Sequence, residues 1–162
     1  MKKVICLFAL SLIATIPALN VAQAGTTVRV TLADTAQNMD LSKSMGLGMG
    51  MHGDMSKAPM SIKVSTAQVV QGKVTFNVVN ESKSMIHEMI VAPVRDENQV
   101  LPYDETANTV KEDEAHDLGE VSELDPGKTG SLTLLLKPGK YLLYCNVPGH
   151  FMVGMWTTIT VK

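Results

Sequence analysis

Apolar and polar residues alternate in several short runs of this chain, and this period of two limits its possible folds more than any other feature. Val28, Val30 and Leu32 alternate with threonines and an arginine, which is typical of a strand with one buried face. No stretch has the pattern of an amphipathic helix of useful length. Further runs of strand character cover residues 62–64, 74–78, 88–94, 132–136, 141–145 and 156–161. Because turn residues separate these runs, the sequence predicts an all-β sandwich or barrel.

The first 24 residues have the composition of a secretory signal peptide. Lys2 and Lys3 provide a basic start, residues 4–16 are mostly apolar, and Ala22-Gln23-Ala24 is a small-x-small cleavage site. The apolar stretch is too short to span a bilayer. The sequence therefore predicts export to a bacterial periplasm, with a mature chain of one domain, residues 25–162, that has no membrane span.

Cysteine usage limits the role of the one thiol in the exported chain. Cys6 leaves with the signal peptide, so Cys145 is the only cysteine of the mature chain and an intramolecular disulfide is impossible. A lone thiol in an oxidising compartment is buried and inert, paired between chains, or bound to a metal. The residues that follow Cys145 favour the metal.

Three soft or imidazole ligands lie close together near the C-terminus, at Cys145, His150 and Met155, with Pro148-Gly149 forming a turn between the first two. Taken singly, these residues are compatible with a core thiol, a histidine at a turn and a buried methionine. Together they match a blue-copper site, which consists of two histidines, one cysteine and a weak axial methionine.

Such a site needs a second histidine from elsewhere in the chain. His87 lies in an apolar, strand-like run, where a histidine that belongs to the core is also common. His52 and His116 lie in a glycine-rich and an acidic segment, which lack a rigid framework. We therefore expect His87 to be the fourth ligand.

The stretch from Tyr144 to Met155, together with His87-Glu88-Met89 upstream, resembles the cupredoxin family. The loop has four residues in each gap between ligands, as in the longer-loop rusticyanin and auracyanin type, and is still more similar to periplasmic cupredoxin-like copper-tolerance proteins. The resemblance implies a Greek-key β-sandwich that binds one type 1 copper through His87, Cys145, His150 and Met155. Glu88 departs from the family pattern, because many electron-transfer cupredoxins have asparagine at this position.

Two segments interrupt the strand pattern. Residues 39–60 are rich in methionine and glycine, which predicts a flexible insertion, and residues 96–123 hold most of the acidic side chains, which predicts a solvated acidic loop with a short helix near 109–114. Thioethers suit Cu(I), so the first segment is either an auxiliary Cu(I) site or a loop with adaptable filler. The candidate auxiliary ligands are Met49, Met51, His52 and Met55.

The sequence favours a binding protein over an enzyme, because it has only four histidines, no His-x-His pair and no hydrolase or phosphate-binding motif. Its formal net charge of −2 argues against a nucleic-acid partner. The first hypothesis is a periplasmic protein of copper handling and tolerance that works with another copper-handling protein. The alternative is a soluble electron carrier with a redox partner protein, which predicts an exposed apolar patch at His150, Phe151 and Met152.

Overall fold

The computed structural model describes residues 25–35, 41, 45, 55–96, 98 and 100–162. The predicted signal peptide, residues 1–24, lies outside them. The strands are β1 (Thr26–Asp34), β2 (Met60–Val64), β3 (Gln68–Val69), β4 (Gly72–Asn80), β5 (His87–Val94), β6 (Tyr103–Asp104), β7 (Thr109–Val110), β8 (Gly119–Leu124), β9 (Thr129–Leu136), β10 (Gly139–Tyr144) and β11 (Trp156–Val161). One α-helix, α1 (Glu112–Ala115), and two 3-10 turns, Met55–Lys57 and Phe151–Val153, complete the described elements.

The strands form two main sheets. One has the order β2-β1-β4-β9 and the other the order β3-β11-β10-β5-β8, while β6 and β7 pair separately. The pairs β1–β4 and β3–β11 are parallel, and the remaining pairs are antiparallel. Because the chain passes repeatedly from one sheet to the other, most neighbouring strands are not consecutive in sequence, as in Greek-key sandwiches. The predicted all-β sandwich is confirmed.

The main core lies between the two sheets and follows the predicted alternation. Val28, Val30 and Leu32 of β1 have no exposed surface, and their polar neighbours point outward. The facing sheet contributes alternate side chains of its strands β5, β10 and β11 to the same core. The core includes Phe76, Val78, Met89, Val91, Leu143 and Ile159.

A second apolar cluster covers the other face of the five-stranded sheet, and it corrects the prediction of an acidic loop over residues 96–123. This segment contains β6, β7, α1 and most of β8, and its Leu101, Val110 and Ala115 are buried in one cluster with Tyr144 of β10. The short helix expected near 109–114 is present as α1, but the strands were not expected, because the many acidic residues obscured widely spaced apolar ones. Since β10 is buried on both faces, the residues that follow it begin from a rigid strand.

The methionine-rich segment, residues 39–60, is described only at Leu41, Met45 and 55–60. Its last residue, Met60, belongs to β2 and is fully buried, so the strand begins inside the predicted insertion. Met55 is 39% exposed. Met49, Met51 and His52 lie outside the described residues. No helix within the described part of the chain is long and apolar enough to cross a membrane.

Candidate metal centre

The loop between β10 and β11 carries three of the four predicted ligands. Cys145 directly follows β10 and Met155 directly precedes β11. The loop closes on itself, because the Cys145 N–H donates to the Met155 carbonyl (3.1 Å) and the Met155 N–H donates to the His150 carbonyl (3.0 Å). The His150 N–H also donates to the Val147 carbonyl (3.0 Å). These hydrogen bonds hold the three side chains at one end of the sandwich.

His87 begins β5, a neighbour of β10, and its ring reaches the same place. The Nδ1 atoms of His87 and His150 are 3.2 Å apart, and the Cys145 Sγ is 3.3 Å from the His150 Nδ1. One ligand atom from each of the three residues lies within 4.8 Å of the others. His87 and Cys145 are fully buried and His150 is 2% exposed. The preference for His87 over His116 is consistent with this placement, since His116 is exposed at the end of α1.

Met155 is fully buried in the same core cluster as Cys145. Its backbone hydrogen bonds to Cys145 and His150 place it beside the three convergent groups. The auxiliary candidate Met55 is exposed in its own 3-10 turn. The auxiliary Cu(I) site stays a prediction, because its other members lie outside the described residues.

Burial controls the protonation of the three groups. Burial, together with the neighbouring His87, lowers the pKa of His150 to about 4. Burial also lowers the pKa of His87, although a carboxyl group, that of Asp34, opposes this effect. Both imidazoles are therefore neutral near pH 7, which is the form that binds metals.

The pKa of the Cys145 thiol shifts in the opposite direction. Burial raises the pKa of Cys145 to about 12, so the metal-free protein holds a protonated thiol at neutral pH. A metal cation that binds the sulfur displaces this proton, because the thiolate is the ligand form. Metal binding at this site is therefore coupled to proton release.

Glu88 braces the ligand loop from the strand that carries His87. Its backbone N–H donates to the Cys145 Sγ at 3.5 Å, and its Oε1 accepts a hydrogen bond from the Asn146 N–H at 2.9 Å. Glu88 is 8% exposed, and burial is the main reason that its pKa is raised to about 7. The carboxyl group thus connects the strand that carries His87 to the loop that carries the other three predicted ligands.

Residues of the segment 96–123 form hydrogen bonds with the same loop. These contacts were not predicted from the sequence. The Asn146 Oδ1 accepts from the Val110 N–H (2.6 Å), and its Nδ2 donates to the Val110 carbonyl (2.9 Å) and the Glu112 Oε1 (2.7 Å). The Gly149 N–H donates to the Asn108 carbonyl (2.8 Å). The available signal was Asn146 itself, because an asparagine next to a ligand can pair with both polar groups of a neighbouring backbone.

The methionine-rich segment also meets the ligand loop. The Asn108 Nδ2 donates to the Leu41 carbonyl at 2.9 Å, and the Met45 N–H donates to the Met152 carbonyl at 3.3 Å. Phe151 and Met152 are 3% and 8% exposed. The apolar patch predicted at these residues is therefore buried rather than exposed.

A donor set of two imidazoles and one thiol, buried at one end of a β-sandwich, is typical of the mononuclear copper proteins. The family model of copper binding proteins of the plastocyanin/azurin family matches residues 44–162. The chain belongs to this family, and His87, Cys145, His150 and Met155 are positioned as a type 1 copper site. A search of curated protein sequences found no significant match.

Solved structures of blue copper proteins share the fold. Rusticyanin from Thiobacillus ferrooxidans is 20% identical, with a TM-score of 0.53 over 86% of this chain and 79% of its own. Auracyanin B is 22% identical, with a TM-score of 0.52 over 93% of each chain. Auracyanin A, a "blue" copper protein from Chloroflexus aurantiacus, is 18% identical, with a TM-score of 0.52 over 86% of this chain and 100% of its own. The predicted resemblance to these long-loop proteins is confirmed at the level of fold.

Proposed function

We propose that this chain is a periplasmic type 1 copper protein in which His87 Nδ1, Cys145 Sγ and His150 Nδ1 would hold one copper ion, with the Met155 thioether as a weak fourth ligand. The convergence of the three donor atoms within 4.8 Å is the observation that carries the proposal. Copper, when bound, supplies a one-electron Cu(II)/Cu(I) couple. The signal-like residues 1–24 support a periplasmic location.

The residues of the chain prepare the site for both oxidation states. The two buried imidazoles present neutral Nδ1 atoms, and the thiol releases its proton when the metal binds. The Glu88 N–H donates to the Cys145 Sγ and the Glu88 carboxyl group accepts from the Asn146 N–H, which holds the loop, and burial excludes water from the ligand atoms. Because the donors are held before the metal arrives, an electron can enter or leave with little movement of the protein.

For the biological role we propose copper handling and tolerance, with a copper-handling protein as partner, rather than an enzymatic reaction. The supporting observation is that two residues of the methionine-rich segment lie against the ligand loop, because the Met45 N–H donates to the Met152 carbonyl and Leu41 lies beside Gly149. That segment contains several thioethers, which are suited to Cu(I) in an oxidising compartment. These thioethers are therefore suited to bind a second copper as Cu(I).

Cu(I) stoichiometry tests this role. We expect the mature chain to bind more than one Cu(I), and a combined Met49→Ala, Met51→Ala and Met55→Ala variant to retain one. Leu135→Ala is the matched control, because it truncates an apolar side chain that is 82% exposed and far from the segment in sequence. One Cu(I) per chain in all three proteins would contradict copper handling through this segment.

Electron carriage is the second candidate, and the preformed donor geometry favours it. A carrier binds one copper and exchanges electrons rapidly between its oxidised and reduced forms, because little reorganisation is needed. Line broadening in NMR spectra of mixtures of the two forms measures this self-exchange. Slow exchange, combined with extra Cu(I) binding, would exclude the carrier and retain copper handling.

A further inference from the structure

The last residue on the buried face of β1 is an aspartate, Asp34. Val28, Val30 and Leu32 alternate inward and are fully buried, and the next position on the same face is Asp34. Its side chain is 8% exposed. An apolar residue would continue the core here, and a carboxylate in such a place costs free energy unless it is paired.

Asp34 is paired with a ligand of the copper centre. Its Oδ2 lies 3.2 Å from the Nε2 of His87. The other nitrogen of that ring, Nδ1, is the one that lies 3.2 Å from the His150 Nδ1. Asp34 therefore contacts the imidazole on the side opposite to the metal-binding atoms.

This arrangement has a known physical consequence. A carboxylate that accepts the second N–H of a ligand histidine fixes the tautomer and the ring orientation, and it makes the ligating nitrogen more basic. Here, a hydrogen on Nε2 that is donated to Asp34 leaves the lone pair of Nδ1 directed at Cys145 and His150. The negative charge also favours the more highly charged metal ion, and the effect is stronger in a buried site than in water.

We propose that Asp34 is a positioning residue of the copper centre, which holds the Nε2–H tautomer of His87 and stabilises Cu(II) relative to Cu(I). The inference rests on the proposed copper function and adds a determinant of its reduction potential. Asp34 acts through His87 and does not touch the metal. It is the only residue of β1 that contacts a ligand side chain through a hydrogen bond among those described.

The test has a metal-free arm and a copper arm. In the metal-free protein, nitrogen NMR of the His87 ring should show the Nε2–H tautomer alone in the wild type, and a mixture of tautomers in Asp34→Ala. In the copper protein, Asp34→Asn keeps the size of the side chain and removes the charge. We expect the ratio of Cu(II) to Cu(I) affinity to fall about tenfold, which raises the reduction potential by about 59 mV.

Asp113→Asn is the matched control, because it makes the same charge change on an exposed residue of α1, and it should leave both readouts unchanged. An Nδ1–H tautomer in the wild type would overturn the inference whether or not copper binds. An unchanged potential in Asp34→Asn would also overturn it. If the wild type itself forms no copper–thiolate bond, the proposed function fails, while the tautomer of His87 still decides the role of Asp34.

Discussion

At the scale of single residues, the centre depends on side chains whose protonation is set by burial. His150 and His87 are neutral near pH 7, while Cys145 keeps its proton until a metal replaces it. A cation that forms a strong bond to sulfur is therefore favoured over one that prefers oxygen ligands. This chemistry could be predicted from Cys145, His150 and Met155, because the three lie on one short loop. The contribution of Asp34 could not, because it depends on which strand end meets His87.

Gly149 provides a test of how tightly the ligand loop is held. Its φ is +85°, and a Cβ there would lie 2.7 Å from the Leu41 carbonyl oxygen. Gly127 has a similar φ of +75° with nothing within 4 Å of a Cβ, so Gly127→Ala is the matched control. We expect Gly127→Ala to lower the free energy of unfolding by about 1–2 kcal/mol, because of its backbone conformation alone. Gly149→Ala should lower it by more, because its Cβ would also meet Leu41. Urea unfolding of the metal-free proteins measures both, and equal costs would show that Leu41 does not press on the loop.

Glu88 gives a prediction for pH dependence. Burial raises its pKa from 4.5 to about 7, so the folded protein binds a proton that the unfolded chain releases in this range. The stability from this proton is fully present below about pH 4.5 and is lost as the pH rises through 7. Between these limits the free energy of unfolding of the wild type should fall by up to about 3 kcal/mol relative to that of Glu88→Gln. Each pKa unit corresponds to about 1.4 kcal/mol.

The measurement compares free energies of unfolding of the two metal-free proteins at pH 4.5 and pH 7.5. The titration of His150 acts in the opposite direction, but it is common to both proteins and largely cancels in the difference. A difference that does not change with pH would mean that the Glu88 carboxyl group is solvated rather than buried against the loop.

At the scale of elements, the loop between β10 and β11 is held by the segment that precedes β8. Asn146 satisfies both backbone groups of Val110, a residue that is 2% exposed. Asn146→Ala should therefore cost about 2 kcal/mol, because it leaves a buried donor and acceptor unpaired. We also expect Cu(II) affinity to fall about tenfold as the loop loosens.

Asn77→Ala is the control for this prediction, since Asn77 bonds the exposed Ser131 on the outer face of the sandwich. It should change stability by no more than about 0.5 kcal/mol and leave Cu(II) affinity unaltered. Thermal unfolding and competition titration with a chelator give the two quantities. Similar effects of the Asn146 and Asn77 substitutions would show that the hydrogen bonds between Asn146 and Val110 do not hold the ligand loop.

The strands with clear alternation could be predicted from the sequence, and those without it could not. Val28, Val30 and Leu32 define β1 by their period of two, and β11 was expected at residues 156–161, the range that it occupies. Strands β3, β6 and β7 have two residues each, which is too short to show an alternation of apolar and polar residues. In β8 only Val121 is buried among acidic neighbours, so its register depends on pairing with β5.

At the scale of the whole molecule, folding and metal binding are linked, because the unfolded chain cannot bring His87 to a loop that lies nearly sixty residues away. Free copper at 100 times its dissociation constant should stabilise the fold by about 2.7 kcal/mol. The melting temperature should then rise by about 5–10 °C for a domain of this size. His150→Ala should lose this shift and His116→Ala should keep it. A shift of equal size in both variants would place the metal elsewhere.

The visible spectrum of the mature protein during titration with Cu(II), beside that of the Cys145→Ser variant, tests the claim that copper binds to Cys145. We expect an intense copper–thiolate band at about 600 nm that saturates at one equivalent and is absent from the variant. A band that persists in Cys145→Ser, or a wild type with no thiolate band at any copper ratio, would contradict the claim. Cys145 would then be a buried core thiol, and the convergence of His87 and His150 upon it would serve the fold alone.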